Sequence, residues 1–304
     1  MKLASYRLTG PTVHVGAIVD DTVLELDAVV RGLSLGTREA EVLAECGAGT
    51  DAASMQKLLL AGSAGLERVD QALSRGDLPR TQLAKVRLLA PVPRPGKILG
   101  IGRNYGAHAK ETGTGPFEQP RVFTKVGSSV QPPGSRIRIP EPIAKPDFEV
   151  ELAVVIGRFA SNVSEQEALA QVAGYTVLHD MSAREFQFDV SPPQTSFAKS
   201  FDGATPMGPW LVTADEIPDP QRLALRCEIN GEVLQEDTTA EMIFSVAYLV
   251  SYLSRFTTLE PGDVIATGTP SGVGAFRKPP RWLKTGDHLR MTVDGIGTLE
   301  HWIA

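Results

Sequence analysis

The spacing of apolar and polar positions changes along this chain, and the changes mark out its elements. Residues 12 to 27 alternate loosely around the Asp20-Asp21 pair, which predicts two short strands joined by a tight turn. From Arg38 to Cys46 and from Ala52 to Arg75 the apolar residues recur at helical spacing, with Leu58, Leu59, Leu60, Leu66, Val69 and Leu73 as the stripe to be buried. Pro91, Pro93 and Pro95 follow, and each proline also pushes its predecessor into extended geometry, so a stiff connector is expected here. These signals predict a small N-terminal α+β annex domain over residues 1–92 and a larger domain over 93–304.

Beyond the connector the pattern is mainly that of strands: Lys97 to Ile101, Phe148 to Ile156, Gly174 to His179, Leu223 to Ile229, Val264 to Thr267 and Leu289 to Val293. Asn230-Gly231 and Asp294-Gly295 suit type I′ hairpin turns, which need positive φ at both central residues. Ser182 with Glu185, and Thr238 with Glu241, each spell a capping box, so helices are expected to start there. Met242 to Phe256 is apolar at helical spacing but broken by Ser245, Ser251, Ser254 and Arg255, and reads as a core helix rather than a membrane span of ~20 residues. The fold class is therefore α+β and strand-dominated.

Composition narrows the partners. The 304 residues are 42% hydrophobic and 22% charged, ordinary for a globular chain, while 29 Gly and 22 Pro call for many turns. A net charge of -6 provides no basic field, so neither a nucleic-acid nor a membrane partner is expected. Only Cys46 and Cys227 are present, with no C-x-x-C pair, and residues 1 to 8 lack an apolar signal-peptide core; a cytoplasmic location is the expectation.

The most informative segment is Asp147-Phe148-Glu149-Val150-Glu151-Leu152-Ala153-Val154-Val155-Ile156-Gly157. On a strand Glu149 and Glu151 share a face that turns apolar at Ala153 and Val155, which places them at the mouth of a buried region. Two carboxylates at ~4 Å repel by roughly 4 kcal/mol at an effective dielectric of ~20, so a proton or a cation must hold them. Taken alone, the segment also fits a half-exposed strand edge with two solvated charges. Asp180 closes the Gly174–His179 strand and is a third candidate, although it also suits a helix entry; His179 alternates to the other face and reads as a packed core histidine. Ligation by Glu149, Glu151 and Asp180 suits hard Mg²⁺, Mn²⁺ or Ca²⁺ better than zinc or copper.

His108 and Glu111 are three residues apart, on one face if the segment is helical, so the carboxylate can orient the imidazole as a general base; a solvated histidine with a chance neighbour has the same spacing. The Gly- and Pro-rich run from Thr112 to Pro120 has the composition of a lid. Lys199, a lone cation between Phe197 and Phe201, could meet an oxyanion or simply be solvated. Gly100-Ile101-Gly102-Arg103-Asn104-Tyr105-Gly106 has its third glycine one residue late for a dinucleotide fingerprint, and Thr267 to Gly274 lacks the G-K-[ST] of a phosphate loop. In the latter the glycines either let backbone amides and the Thr269 hydroxyl approach a ligand or form a plain turn.

Six segments in sequence order then carry a resemblance: GRNYGAHAKE at 102–111, DFEVELAVVIG at 147–157, AGYTVLHDMSAREFQ at 173–187, FAKSFD at 197–202, PGDVIATGTPSGVG at 261–274 and LKTGDHLRMTVDGIGTLEHWI at 283–303. Over some 200 residues the chain resembles the fumarylacetoacetate hydrolase superfamily, in its bacterial acylpyruvase-like and 2-hydroxyhepta-2,4-diene-1,7-dioate isomerase-like branch. The resemblance implies a mixed β-sheet roll, a homodimer, and Mg²⁺ or Mn²⁺ held by Glu149, Glu151 and Asp180. It also implies a dyad at His108 and Glu111, an oxyanion-stabilising Lys199, and substrate contacts at Arg184, Gln187 and Thr269. The chain departs from fumarylacetoacetate hydrolase proper in having no acid between Gly96 and His108, and it has Gln194-Thr195-Ser196-Phe197 where many relatives place a tryptophan.

The reaction so implied is metal-dependent hydrolysis of a C–C bond in a small 2,4-dioxo acid, through a metal-stabilised enolate and a His-Glu-activated water. Two alternatives stay open: an oxaloacetate-type decarboxylase or 2-hydroxydienoate isomerase or hydratase on the same site, and a catalytically silent ligand-binding protein.

Overall fold

The computed structural model describes every residue except Ala48, Thr114 and Pro116. The lid expected over Thr112 to Pro120 includes two of these, and to that extent lies outside the described residues.

In chain order the first unit contains β1 (Lys2–Arg7), β2 (His14–Val19) and β3 (Thr22–Glu25), then α1 (Asp27–Arg31), α2 (Thr37–Glu45), α3 (Met55–Leu60) and α4 (Gly62–Arg75). β4 (Arg80–Gln82) and β5 (Arg87–Leu88) close it. The expected turn at Asp20-Asp21 joins β2 to β3, with Asp20 at φ 50°. The helical run over 52 to 75 is two helices rather than one, with Ala61 at the junction, and α1 carried no periodicity long enough to be read. Leu58, Leu59, Leu60 and Val69 are buried, while Leu66 and Leu73 are only partly covered.

The remaining chain adds β6 (Ile98–Gly102), α5 (Gly106–Glu111), β7 (Arg121–Lys125), β8 (Val130–Gln131), β9 (Arg136–Ile137), β10 (Pro146–Asp147) and β11 (Val150–Ile156). Then come α6 (Glu165–Ala168), β12 (Val172–His179), β13 (Ser182–Ala183), α7 (Arg184–Phe188), α8 (Thr195–Ala198) and β14 (Thr205–Thr213). The last part holds β15 (Ala224–Ile229), β16 (Glu232–Thr238), α9 (Val246–Ser254), β17 (Val264–Ala266), β18 (His288–Val293) and β19 (Gly297–Ile303).

The backbone of the molecule is one mixed sheet in the order β4-β3-β2-β1-β14-β12-β11-β17-β6-β7. A five-stranded sheet, β16-β15-β18-β19-β9, packs against it. The strand-dominated α+β reading describes this architecture. The first ninety residues enter the main sheet directly, since β1 pairs antiparallel with β14. One apolar cluster holds Leu3, Val15, Leu26, Leu58 and Val69 together with Ala153, Val155, Leu178 and Leu211.

β11 is buried along its whole length and faces two cores. Val150, Leu152, Val154 and Ile156 pack toward the smaller sheet, Ala153 and Val155 toward the N-terminal helices. That is the alternation read from the sequence, but with both faces covered.

Three local expectations fail. The Ser182–Glu185 capping box does not form: Ser182 lies in β13, and the Glu185 carboxylate instead accepts from Ala144 N at 2.7 Å and Lys145 N at 3.3 Å. Thr238 caps only a single 3₁₀ turn, and the long helix starts at Ser245, whose side chain accepts from Tyr248 N at 3.1 Å. Asn230 (φ 54°) and Gly231 (φ 83°) have the I′ signs, but of Asp294 and Gly295 only the glycine has positive φ, and Ile296 joins the loop between Val293 and Gly297. In each case a longer-range partner or one extra loop residue outweighs the local preference.

Candidate active site

The site is set by strand register. β11 and β12 pair antiparallel with Val150 opposite His179, so Glu149 falls opposite Asp180, whose N–H donates to the Glu149 carbonyl at 3.0 Å. Opposed residues share a face, and Glu151 lies two positions on from Glu149. The three carboxylates therefore converge, with one oxygen from each within 4.8 Å of the others. All three are nearly inaccessible, at 4%, 1% and 0% exposed.

Cations surround two of the three acids. Lys199 Nζ lies 2.7 Å from Glu149 Oε2, is 2.8 Å from Ser182 Oγ, and also contacts Asp180 Oδ2. Arg184 Nη2 donates to Glu149 Oε1 at 2.5 Å and its Nε to Asp147 Oδ2 at 2.8 Å. Lys125, wholly buried, donates to Asp180 Oδ1 at 2.7 Å. Glu151 has no ion pair among the described residues and accepts from Gly268 N at 2.9 Å.

The electrostatics follow from these contacts. Burial pushes the Glu149 carboxyl up, but Lys199, Arg184 and His108 outweigh it and hold the group far below the usual carboxylate range. Burial also raises Glu151, and there the neighbouring charges of Asp180 and Glu149 add to the effect, leaving it well above that range. Burial works to lower the Lys199 ammonium, yet Asp180 and Glu149 raise it, so it stays cationic.

A divalent cation fits this set. The donors are all oxygen, one from each residue lies within 4.8 Å of the others, and ionised Glu151 would have a buried charge that no ion pair among the described residues offsets and a cation would relieve. Glu149, Glu151 and Asp180 are the residues that would hold it.

Across the cleft, α5 positions the second group. His108 Nδ1 lies 2.7 Å from Glu111 Oε1; since a carboxylate only accepts, Nδ1 bears a proton, and in the neutral ring the lone pair is on Nε2. Glu111 is anchored in turn by Gly272 N at 3.0 Å. Three amides of the segment from Thr267 to Gly274 hold acids of the site: Gly268 serves Glu151, Gly272 serves Glu111, and Gly274 serves Asp147 at 2.6 Å. Gly268 and Gly272 sit at φ 101° and 100°, and a Cβ on Gly272 would meet the Leu234 carbonyl at 2.3 Å, so only glycine fits there.

One cleft of about 180 Å³ collects eight of the nine predicted residues: Glu149, Glu151, Asp180, His108, Lys199, Arg184, Gln187 and Thr269; Glu111 lies behind His108. That volume is below the roughly 300–1,000 Å³ of drug-sized ligand pockets and suits a small acid. Arg184 Nη1 donates to Gln187 Oε1 at 2.7 Å, and Thr269 Oγ1 donates to the Val150 carbonyl while accepting from Gln235 Nε2 at 2.8 Å.

Sequence reasoning missed Lys125, Asp147, Ser182 and Gln235. Asp147 begins the acidic segment, but the amides of Gly274 and Ala275 that it accepts from lie over 120 residues away. Lys125 is a single charge at the end of a strand, a pattern with no local signal. His179 is a packed core histidine, its Nδ1 2.8 Å from His301 Nε2.

Comparison with known proteins gives a consistent picture. The family model described as fumarylacetoacetate (FAA) hydrolase C-terminal matches residues 97–304. Among curated proteins, the mitochondrial oxaloacetate tautomerase fahd2 of Xenopus laevis is 42% identical over 249 residues, covering 81% of this chain and 77% of the relative. Among solved structures, the fumarylacetoacetate hydrolase of psychrophilic Exiguobacterium antarcticum aligns over 100% of this chain and 99% of its own, with TM-score 0.79 and 32% identity. A maleylpyruvate hydrolase of Sphingobium sp. SYK-6, in complex with manganese(II) and pyruvate, aligns over 100% and 99% with TM-score 0.77 and 28% identity.

Proposed function

The chain belongs to the fumarylacetoacetate hydrolase family, and from that premise we propose that it is a divalent-metal-dependent enzyme that moves a proton at the carbon beside the 2-oxo group of a small 2-oxo acid. The observation that carries this reading is the meeting of the Glu149–Glu151–Asp180 cluster and the His108–Glu111 dyad in one small cleft.

Mg²⁺ or Mn²⁺ at the three carboxylates would supply Lewis-acid stabilisation of the negative charge that builds on the 2-oxo oxygen. The chain's own residues do the rest. Glu111 fixes the His108 tautomer, so Nε2 is the base that takes the proton and returns it. Lys199, kept cationic by Asp180 and Glu149, faces developing negative charge in the same cleft. Arg184, locked by Asp147, Glu149 and Gln187, has a fixed orientation for a substrate carboxylate.

Keto–enol tautomerisation comes first because the relatives at about 42% identity over four-fifths of this chain are named oxaloacetate tautomerases. Hydrolysis of a C–C bond in an acylpyruvate is the second reading, favoured by the full-length likeness to maleylpyruvate hydrolase. There His108 would take its proton from water.

The deciding experiment is a panel of oxaloacetate, acylpyruvates and hydroxydienoates with Mg²⁺ and Mn²⁺, following enol loss and products separately. Acceleration of enol–keto exchange without an acid co-product supports the first reading, and a carboxylic acid released with pyruvate supports the second. Turnover of none of them would overturn both.

A further inference from the structure

Lys199 follows directly on α8, and a lysine gives up more rotamer freedom than most side chains when it is held in one place. Its position in the cleft therefore needs a cause, and β7 supplies much of it. β7 is the last strand of the main sheet, so its outward amides have no neighbouring strand to pair with. Thr124 N–H donates to Ser196 Oγ at 3.2 Å, and just past the strand Val126 N–H donates to Ser200 Oγ at 3.3 Å. The turn that carries Lys199 thus hangs on the sheet edge by a serine on either side of it. Lys125 donates to the Lys199 carbonyl at 2.5 Å, to the Ala204 carbonyl at 3.1 Å and to Asp180 Oδ1 at 2.7 Å, which uses all three of its protons.

The head of the side chain meets the same strand. Lys199 Nζ lies 4.9 Å from the centre of the Phe123 ring, and both residues are buried, so the cation–π contact falls at the strong, desolvated end of its range. Phe123 stands opposite Gly100 in the β6–β7 pairing. A Cβ on Gly100 would lie 2.2 Å from the ring's Cζ, so the glycine leaves the ring room to lie across β6. The hydrogen-bond partners of the ammonium are Glu149, Asp180 and Ser182. Two of these are acids that would hold the metal, whose own charge repels an ammonium. The Phe123 ring and the Ser182 hydroxyl attract Lys199 without being shared in that way.

We propose that Phe123 is a positioning residue for the reaction: the negative face of its ring keeps the Lys199 ammonium in place in the cleft, and Gly100 is small in order to seat that ring. The proposal rests on the 2-oxo acid reading above and says what holds its cation ready. The ring acts through its quadrupole as well as its bulk, which separates it from a phenylalanine that only fills a core.

The test replaces Phe123 by mono-, di- and trifluorophenylalanine, which keep its shape while draining negative charge from the ring face, and by leucine. In the Mg²⁺-loaded protein, on whichever oxo acid of the panel turns over fastest, kcat should fall stepwise with fluorination and by about tenfold or more in Phe123→Leu, the scale of a desolvated cation–π contact. KM and the calorimetric Mg²⁺ affinity should stay as in the wild type. A readout independent of turnover is the NMR signal of the Lys199 ε-methylene in protein carrying ¹³C-lysine, assigned by its loss in Lys199→Met. Ring current should displace it upfield in the wild type, with and without Mg²⁺, and it should return toward the position of a solvated lysine in Phe123→Leu. If Phe123→Leu does not fold, the fluorinated series alone decides. A kcat indifferent to fluorination, or a Lys199 signal with no ring-current displacement, overturns the positioning role and leaves the 2-oxo acid reading standing. A displaced signal that Phe123→Leu abolishes, in protein that turns over no oxo acid, overturns that reading and leaves the contact as a structural one, so the role in the reaction falls with it.

Discussion

A carboxylate buried against two others must be protonated, paired or bound to a cation, and Glu151 is the member of the cluster to which the fold gives least. Its folded form titrates above the ordinary 4.5, so the metal-free protein is favoured below that pH and loses stability as pH rises toward the raised value. Glu151→Gln should therefore raise the melting temperature of EDTA-stripped protein at neutral pH, by a margin that shrinks toward pH 4.5, and should abolish stabilisation by Mn²⁺. Equal melting of variant and wild type across that range would remove the repulsion argument. His108→Ala should reduce turnover by roughly 10²–10⁴-fold, the usual scale of a positioned acid–base group, with Mn²⁺ affinity kept in a calorimetric titration. Asp147→Ala leaves Arg184 Nε and the amides of Gly274 and Ala275 without their acceptor, and should cost about 3–5 kcal/mol in urea unfolding.

At the scale of elements, two pairings carry the site. The β11–β12 register puts Glu149 opposite Asp180 and sends His179 to the other face, where it meets His301 of β19 and ties the large sheet to the small one. Both histidines are kept neutral, His301 being pushed down to about 3 by burial and then by His288. The unfolded chain takes a proton at each near 6.5 while the folded chain does not, so stability is full above that pH and falls as pH drops toward 3. His301→Gln should flatten this acid limb in a melting-temperature profile; an unchanged limb would show that other groups set it. The N-terminal strands are equally tied in. Deleting residues 1–92 would strip β14 of its β1 partner and uncover Val155, Leu178 and Leu211, so the shortened chain should aggregate or bind a hydrophobic dye where the full chain does not.

For the molecule as a whole, a cation that binds only the folded state stabilises it by mass action. At a hundredfold excess over its Kd, Mg²⁺ or Mn²⁺ should add about 2.7 kcal/mol, seen as a rise of several degrees over the EDTA-treated protein and absent in the Asp180→Ala variant. Much of this was legible in the order of residues. Alternation over Phe148 to Ile156 gave the strand and the shared face of Glu149 and Glu151, helical spacing brought His108 and Glu111 together, and the ordered segments carried the family. These are local facts, fixed by backbone periods of 2 and 3.6 residues. Tertiary structure alone decided that Asp180 stands opposite Glu149, that Lys125 and Asp147 brace the site, and that the amides of Gly268, Gly272 and Gly274 hold its acids. It also overruled the capping box at Ser182, because its hydroxyl meets Lys199 and its partner Glu185 turns to the amides of Ala144 and Lys145. The physical reason is the same in each case: a buried polar group takes whichever partner the packing brings near, and that partner is seldom a neighbour in the chain.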